Sequence, residues 1–276
     1  MAEINHDFVA REKVKVVRRL SGGGTVYHDL GNLNYAFIAN GSEGNLVDFR
    51  KFAQPMIDTL QSIGVNAFLG GKNDIRVGDK KISGNAEHVY KNRVLHHGTL
   101  LFSSNLDKLN ESIKVDPQKY TDKAVKSIRS QVANISEITR TEIDISDFSA
   151  LIFSQVKLKF QNCSEYTLLK KDIGSINDLL KTKYSTWDWN FGYSPVYTLE
   201  KKVLIGKTYL KIKLQVEKGI IINVDLENDS LNQIREIKSL LINCRHDINE
   251  IEQRIERSIH IPSKKYQLKN LIKELF

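Results

Sequence analysis

Three short stretches carry the residue types that could do chemistry. The first is "VVRRLSGGGTVYHD", where Gly22, Gly23 and Gly24 follow a basic pair and a serine. Glycines without side chains let backbone N–H groups approach a ligand closely, and Arg18 and Arg19 add forked donors suited to phosphate or carboxylate oxygens. A small anionic ligand fits this stretch; a plain glycine turn between strands with solvated arginines is the alternative. The second is "NDIRVGDKKISGNA". There Asn73 and Asp74 offer oxygens to an amine or Mg2+, and Lys80 and Lys81 adjoin a second Ser-Gly. A lysine aimed into a pocket can neutralise charge developing on a phosphate or carboxylate, although most lysines are simply solvated. The third is "HHGTLL". Adjacent histidines on a strand point to opposite faces, so only one of His96 and His97 can face a given site. His28 beside Asp29 reads equally well as a satisfied loop histidine. No Ser/His/Asp order is diagnostic, and neither cysteine lies near the glycines.

Elements that could position these residues follow from the patterning. "VKVVRRL" and "NLNYAFIA" read as strands on either side of the glycines. Leu46, Phe49, Phe52, Met56, Leu60 and Ile63 recur at helical steps, with Gly64 as the stop and Pro55 as a possible bend. Gly78-Asp79 predicts a hairpin turn that puts Lys81 at the start of the returning strand. "HHGTLLFSS" suggests a further strand and "RTEIDISDFSALIFSQVKLKF" a helix. "STWDWNFGYSPVYTLE" reads as irregular chain and marks a domain boundary. Beyond it, "YLKIKLQV" and "IIINVDLEND" flank Glu217-Lys218-Gly219 as a second hairpin, with Leu210, Ile212, Leu214 and Val216 on one face. Three helices follow: one capped by Asp229-Ser230 with Ile234, Ile237, Leu241 and Cys244, one with Ile248, Ile251, Ile255 and Ile259, and one from Ser263 through Leu275.

At 276 residues, 41% hydrophobic and 27% charged, the chain has the makings of one large domain and a smaller one. No apolar run is long enough to span a bilayer or resembles a secretory signal, which makes the cytoplasm the default. Cys163 and Cys244 lack disulfide or zinc spacing and are expected as buried free thiols. The net charge of +8 raises nucleic acid as a partner. From Tyr197 onward, however, 15 Lys+Arg face 11 Asp+Glu, half of the total excess, so the charge is spread and suits an acidic protein partner equally.

The blocks "RRLSGGGTVYHDLGNLNYAF", "KNDIRVGDKKISGNA", "HHGTLL", "SIRSQVANI" and "WDWNFGYSP" together resemble, in order and spacing, the lipoate-protein ligases, over nearly the whole chain. The resemblance implies an α+β fold: a mixed sheet with helices, shared with biotin ligases, in a catalytic domain over residues 1–193. A smaller α+β accessory domain would occupy 197–276. It implies that lipoate and ATP react, with Mg2+, to lipoyl-adenylate and pyrophosphate. The lipoyl group then passes to a lysine of an acceptor domain, an E2 subunit of a 2-oxoacid dehydrogenase or the glycine cleavage H protein, with no nucleic acid or membrane partner. Lys81 would be the central cation at the acyl oxygen and α-phosphate. Arg18, Ser21, Gly22, Gly23 and Gly24 would line the pocket of the intermediate, with His28 on the lipoyl side. Asn73 and Asp74 would meet the adenylate, Asp74 as the Mg2+ ligand, with Ala86, His97 and Gly98 along the wall.

Members of that family carry a further helix and strands, with an Arg-x-Gln-Asn stretch, ahead of the part matching "AEINHDF". A fragment, an internal start or a separate chain supplying the piece would each account for the difference. The expectation is an opened lipoyl tunnel and impaired adenylation with the fold retained. The rival readings are a lipoyl or octanoyl transferase, which would use a cysteine nucleophile, and a binder without turnover.

Overall fold

The computed structural model describes residues 3–40, 46–113, 120–122, 130–160, 162–205, 208–227, 238–260 and 268. The chain divides into two compact units: Arg19–Ile113 with Val125–Thr167, and Met1–Arg18 with Lys114–Ala124 and Leu168–Phe276.

The first unit is a five-stranded sheet with helices. Its strands are β1 (Asn32–Asn40), β2 (Phe68–Gly70), β3 (Asp74–Val77), β4 (Lys80–Tyr90) and β5 (Arg93–Leu101), in spatial order β1-β5-β4-β3-β2. Every ladder is antiparallel. Among the described residues, one parallel bridge, Lys81 to Val132, adds the mixed character. Gly78 turns β3 into β4 at φ 57°, a left-handed conformation that glycine adopts without a Cβ penalty. The helix expected between Leu46 and Gly64 is Phe49–Ser62, preceded in the other unit by the short α1 (His6–Arg11) and numbered α2. Asp48 caps it by accepting from Lys51 N–H at 3.0 Å, and it runs on through Pro55. Ala53, Met56, Ile57 and Leu60 of α2 pack with Ile75, Ile82, Leu100, Phe102 and Phe148, burying one face of the sheet. Phe148 belongs to the helix Ile145–Lys159, capped by Asp144; the short helix Leu106–Ser112 precedes it, and the two are α4 and α3.

The second unit holds β6 (Tyr120–Asp122), β7 (Tyr197–Ile205), β8 (Thr208–Glu217) and β9 (Ile220–Glu227), antiparallel in that order. Lys218 and Gly219 both take positive φ, 49° and 73°, as a two-residue hairpin of matching twist requires. Leu210, Ile212, Leu214 and Val216 are all buried, against Ile251 and Ile255 of the helix Ile248–Ser258. The α+β class holds for both units.

Three sequence expectations differ from what forms. "VKVVRRL" makes no strand among the described residues, because the N–H of Arg18 is spent on the Asn190 side chain at 2.8 Å, not on a neighbouring strand. "STWDWNFGYSPVYTLE" is only partly irregular: Asp188–Gly192 within it is a single π-helical turn and β7 begins at Tyr197, while a further π-helical turn, Leu180–Tyr184, precedes it. Both turns follow a helix, Lys170–Leu179, that buries no side chain: Ile173, Ile176 and Leu179 recur at helical spacing, but each is about half exposed. Cys163 is exposed while Cys244 is buried. The segments expected to be helical around Ile234 and Ile237, and from Ser263 onward apart from the buried Leu268, lie outside the described residues.

Candidate active site

Register decides which candidates meet. Residues paired across strands share a face, and neighbours along a strand alternate. Asp74 pairs with Gly84, Gly84 with Thr99, Thr99 with Asn34, and Ala86 with His97. One face therefore carries Asp74, Gly84, Ala86, His97 and Asn34. Lys81 joins them, since its Nζ lies 2.8 Å from Asp74 Oδ1 and a Cβ on Gly84 would sit 3.1 Å from the same nitrogen. The ammonium thus lies over a bare stretch of β4, with the side chains of Lys81 and Asp74 26% and 19% exposed. The backbone of Lys81 is fixed as well: its N–H donates to Gln131 O at 2.8 Å, and its carbonyl accepts from Ala133 N–H at 3.1 Å.

The glycine loop is tied to the same face. Ser21 Oγ lies 2.5 Å from His97 Nε2, and Ser21 is buried. Arg19 Nε donates to Ser21 Oγ at 3.1 Å, while its NH2 donates to Gly22 O at 2.8 Å and to Gly24 O at 2.9 Å. His28 reaches this face through a side-chain hydrogen bond with Asn34. Burial holds the pKa of both His28 and His97 below the usual range, and the positive charge of Arg19 lowers each further. Both imidazoles are therefore neutral at pH 7. On this one face stand a fixed cation, a glycine loop and two neutral imidazoles, which together suit an anionic ligand that changes charge during reaction.

Other candidates have different work. Gly98 lies on the opposite face, where a Cβ would overlap Asn85 Oδ1 and the Tyr35 hydroxyl, which hydrogen-bond to each other across it. Asn73 Nδ2 donates to Asn85 O at 2.7 Å and Asn85 Nδ2 returns to Asn73 O at 2.9 Å, so Asn73 splices the start of β3 to β4. His96 is wholly buried on that side, paired to Glu87 at 2.8 Å and stacked on Phe52. Arg18 belongs to the other unit, where its Nε donates to the carbonyls of Trp189 and Asn190 at 3.1 and 3.2 Å and its own carbonyl accepts from Trp189 Nε1 at 2.9 Å. Asp29 accepts from Gly31 N–H and Asn105 N–H, a turn role.

Residues 1–157 match the family model for the lipoyl protein ligase A/B catalytic domain, and residues 194–275 match that for the bacterial lipoate protein ligase C-terminus. The chain belongs to the lipoate-protein ligase family. A Staphylococcus aureus protein named lipoate–protein ligase 1 is 39% identical over 253 residues, 91% of this chain and 77% of its own length. A lipoate-protein ligase of Bacillus subtilis is also 39% identical, over 92% of this chain and 78% of its own. Three solved structures share the fold. One is a putative lipoate protein ligase from T. acidophilum with bound lipoic acid (TM-score 0.58, 26% identity, 70% of this chain and 78% of that one). Another is a lipoate-protein ligase A bound with ATP (0.56, 27%, 68% and 76%). The third is a bi-partite ligase described with its E2 lipoyl domain (0.57, 26%, 68% and 75%). Membership in the lipoate-protein ligases makes this chain an enzyme of the ligase class.

For the cysteine-dependent transferase reading, the ligase chain offers no thiol on the Lys81 face. Cys163 follows α4, and Cys244 lies in the other unit with burial pushing its thiol up to about 11. The residues that sequence reasoning passed over are Gly84 and Asn34. The second Ser-Gly was the only signal for the first, and Asn34 had none.

Proposed function

We propose that the chain activates lipoate with ATP and transfers the lipoyl group to a lysine of an acceptor lipoyl domain, such as an E2 subunit or the glycine cleavage H protein. Residues 1–193 would form the catalytic domain and 197–276 the accessory one. The observation that carries this reading is the Lys81 ammonium, held by Asp74 over Gly84 on the face to which Ser21 and His97 tie the glycine loop. Structural neighbours with bound lipoic acid or ATP, and one described with its E2 lipoyl domain, support the substrates and the partner class.

In the first step a lipoate carboxylate oxygen attacks the α-phosphorus of ATP, the bond to the β-phosphate oxygen breaks, and pyrophosphate leaves. Lys81 faces charge gathering on the α-phosphate and the acyl oxygen. Its orientation is fixed beforehand by Asp74, so little reorganisation accompanies the reaction. In the second step the acceptor amine attacks the acyl carbon, AMP leaves with the bonding pair, and the amine nitrogen loses a proton. Neutral His28 and His97 add no positive charge against the uncharged end of the acyl chain. Ala86 and Gly84 keep the face low enough for the ligand to lie on it.

Mg2+ enters this scheme as the counter-ion of ATP. The Asp74 carboxylate already faces Lys81 at 2.8 Å and Arg76 NH1 at 3.8 Å, so it does not fit a divalent ion without displacing a cation, and no step is assigned to the metal. No helix among the described residues is long and apolar enough to cross a membrane. Use of ATP and of a protein acceptor supports a cytoplasmic setting.

The test is mass spectrometry of a purified acceptor lipoyl domain after incubation with the chain, lipoate and Mg-ATP. One lipoyl group on one lysine is expected, dependent on ATP. Absence of both the adduct and pyrophosphate release refutes the reading.

A further inference from the structure

Asp74 owes its place to the far side of the sheet. It opens β3, a strand of four residues whose outer neighbour is the three-residue edge strand β2. Against β4, only Asp74–Gly84 and Ile75–Ser83 pair before the register breaks. The next pair is Arg76–Lys81, so Ile82 is an extra residue on β4, a bulge. In an uninterrupted ladder, alternation would turn Lys81 and Ser83 to one face. Instead Ile82 and Ser83, consecutive and both buried, turn together to the helix-packed face, and Lys81 is left on the face of Asp74. Two ladder pairs between a bulge and the strand end are by themselves a loose hold on the carboxylate that orients the ammonium, because strand ends fray.

Asn85 supplies the rest of that hold. This buried residue donates from its backbone N–H and from its Nδ2 to Asn73 O, at 3.0 and 2.9 Å, and its carbonyl accepts from Asn73 Nδ2 at 2.7 Å. Three hydrogen bonds thus grip the residue immediately ahead of Asp74. The Asn85 amide is itself oriented: its Oδ1 accepts from the Tyr35 hydroxyl, and its Nδ2 also reaches Ser83 Oγ, at the bulge, at 3.4 Å. One small network behind the sheet therefore joins the entry of β3 to the bulge that turns Lys81.

We propose that Asn85 is a positioning residue for the adenylation step: from the opposite face of the sheet it fixes Asn73, and through Asn73 the Asp74 carboxylate that aims Lys81. Asn85 itself touches no substrate. The proposal rests on the ligase reading for the reaction, and on the hydrogen bonds alone for the clamp.

The test compares Asn85→Ala, Tyr35→Phe, Asp74→Ala and the double variant Asn85→Ala/Asp74→Ala with the wild-type chain. The first readout is pyrophosphate release from lipoate and Mg-ATP. Asn85→Ala is expected to lower kcat about tenfold, with KM for lipoate within about twofold of wild type, because the lost bond acts on the reacting centre and not on the acyl chain. Added to Asp74→Ala, the same change is expected to cost no more than about twofold, since its effect passes through that carboxylate. Losses that multiply in the double variant would overturn the proposal. The second readout is hydrogen–deuterium exchange of the ligand-free protein. Exchange over residues 71–77 is expected to speed up in Asn85→Ala while residues 93–101 of β5 keep their protection. Tyr35→Phe leaves the bonds to Asn73 in place and is expected to show the same change on a smaller scale, which keeps the test open should the alanine variant fold poorly. Unchanged exchange over 71–77 in both variants overturns the clamp whatever the activities, and equal loosening of β5 overturns it too, by making Asn85 a general support of the sheet. Were the wild-type chain inactive, the ligase reading would fail and the exchange experiment would still decide the clamp.

Discussion

Replacing Lys81 with alanine separates stability from chemistry. In the folded protein this side chain makes a 2.8 Å ion pair with Asp74, and both partners are partly open to solvent, 26% and 19% exposed. Ion pairs of that exposure contribute about 1 kcal/mol or less, since solvent screens them and the side chains lose freedom in pairing. The backbone of residue 81 keeps its hydrogen bonds to Gln131 and Ala133 whatever the side chain. Asp74 is not left without a cation either, because Arg76 stands 3.8 Å away. Lys81→Ala is therefore expected to cost about 1 kcal/mol, roughly 2–4 °C for a unit of this size. Catalysis should suffer far more. Removing one preorganised electrostatic donor at a reacting centre typically costs about 10²–10³ in rate, or roughly 3–4 kcal/mol. Moreover, the freed Asp74 carboxylate would then repel the phosphates. The assay is pyrophosphate release under saturating lipoate and ATP, beside thermal unfolding of the same preparations. Adenylation within threefold of wild type would refute the role of the ammonium. A large loss of stability would instead make Lys81 a structural residue.

Two further outcomes follow from the geometry. Gly98→Ala drives a methyl into the Tyr35–Asn85 contact and should cost about 1–3 kcal/mol through overpacking, read as a lower denaturant midpoint with unchanged slope; a change under 0.5 kcal/mol would show that the network yields. His28, His96 and His97 all have pKa values lowered by burial, against the pull of Glu87 in the case of His96. The unfolded chain therefore binds protons first as pH falls below about 6.5. The stability from these neutral rings is complete above that pH and declines beneath it, so the melting temperature should drop between pH 7 and pH 5.5; a flat profile would contradict the burial.

Much of the scaffold was legible in the residues. Gly78 and Gly219 announced their hairpins because glycine takes positive φ without a Cβ penalty, and the alternation from Leu210 to Val216 marked a buried face because a strand's period is two. The stripe through Met56 and Leu60, with Gly64 as its stop, gave α2 for the same local reason. The candidate site was legible as a set of residue types: the triple glycine, the Lys-Lys pair and the double histidine. Which of them meet was not. His97 and Gly98 are neighbours in sequence on opposite faces of β5, and Asn73 and Asp74 are neighbours with separate tasks, one splicing strands and the other holding Lys81. Arg18 and Arg19 differ in the same way, one bound to Trp189 and Asn190 and the other to the glycine loop. For Arg18 the partners lie 171 and 172 residues away, and for Asn73 and Asp74 they lie on the next strand, so local propensity does not encode the choice. Sequence alone determined the hairpins, the helix stripes and the inventory of reactive groups, because these depend on backbone sterics and short-range periodicity. Only tertiary structure, through strand register, decided that Lys81, Asp74, Gly84, Ala86 and His97 share a face, because register sets which side of the sheet each side chain occupies.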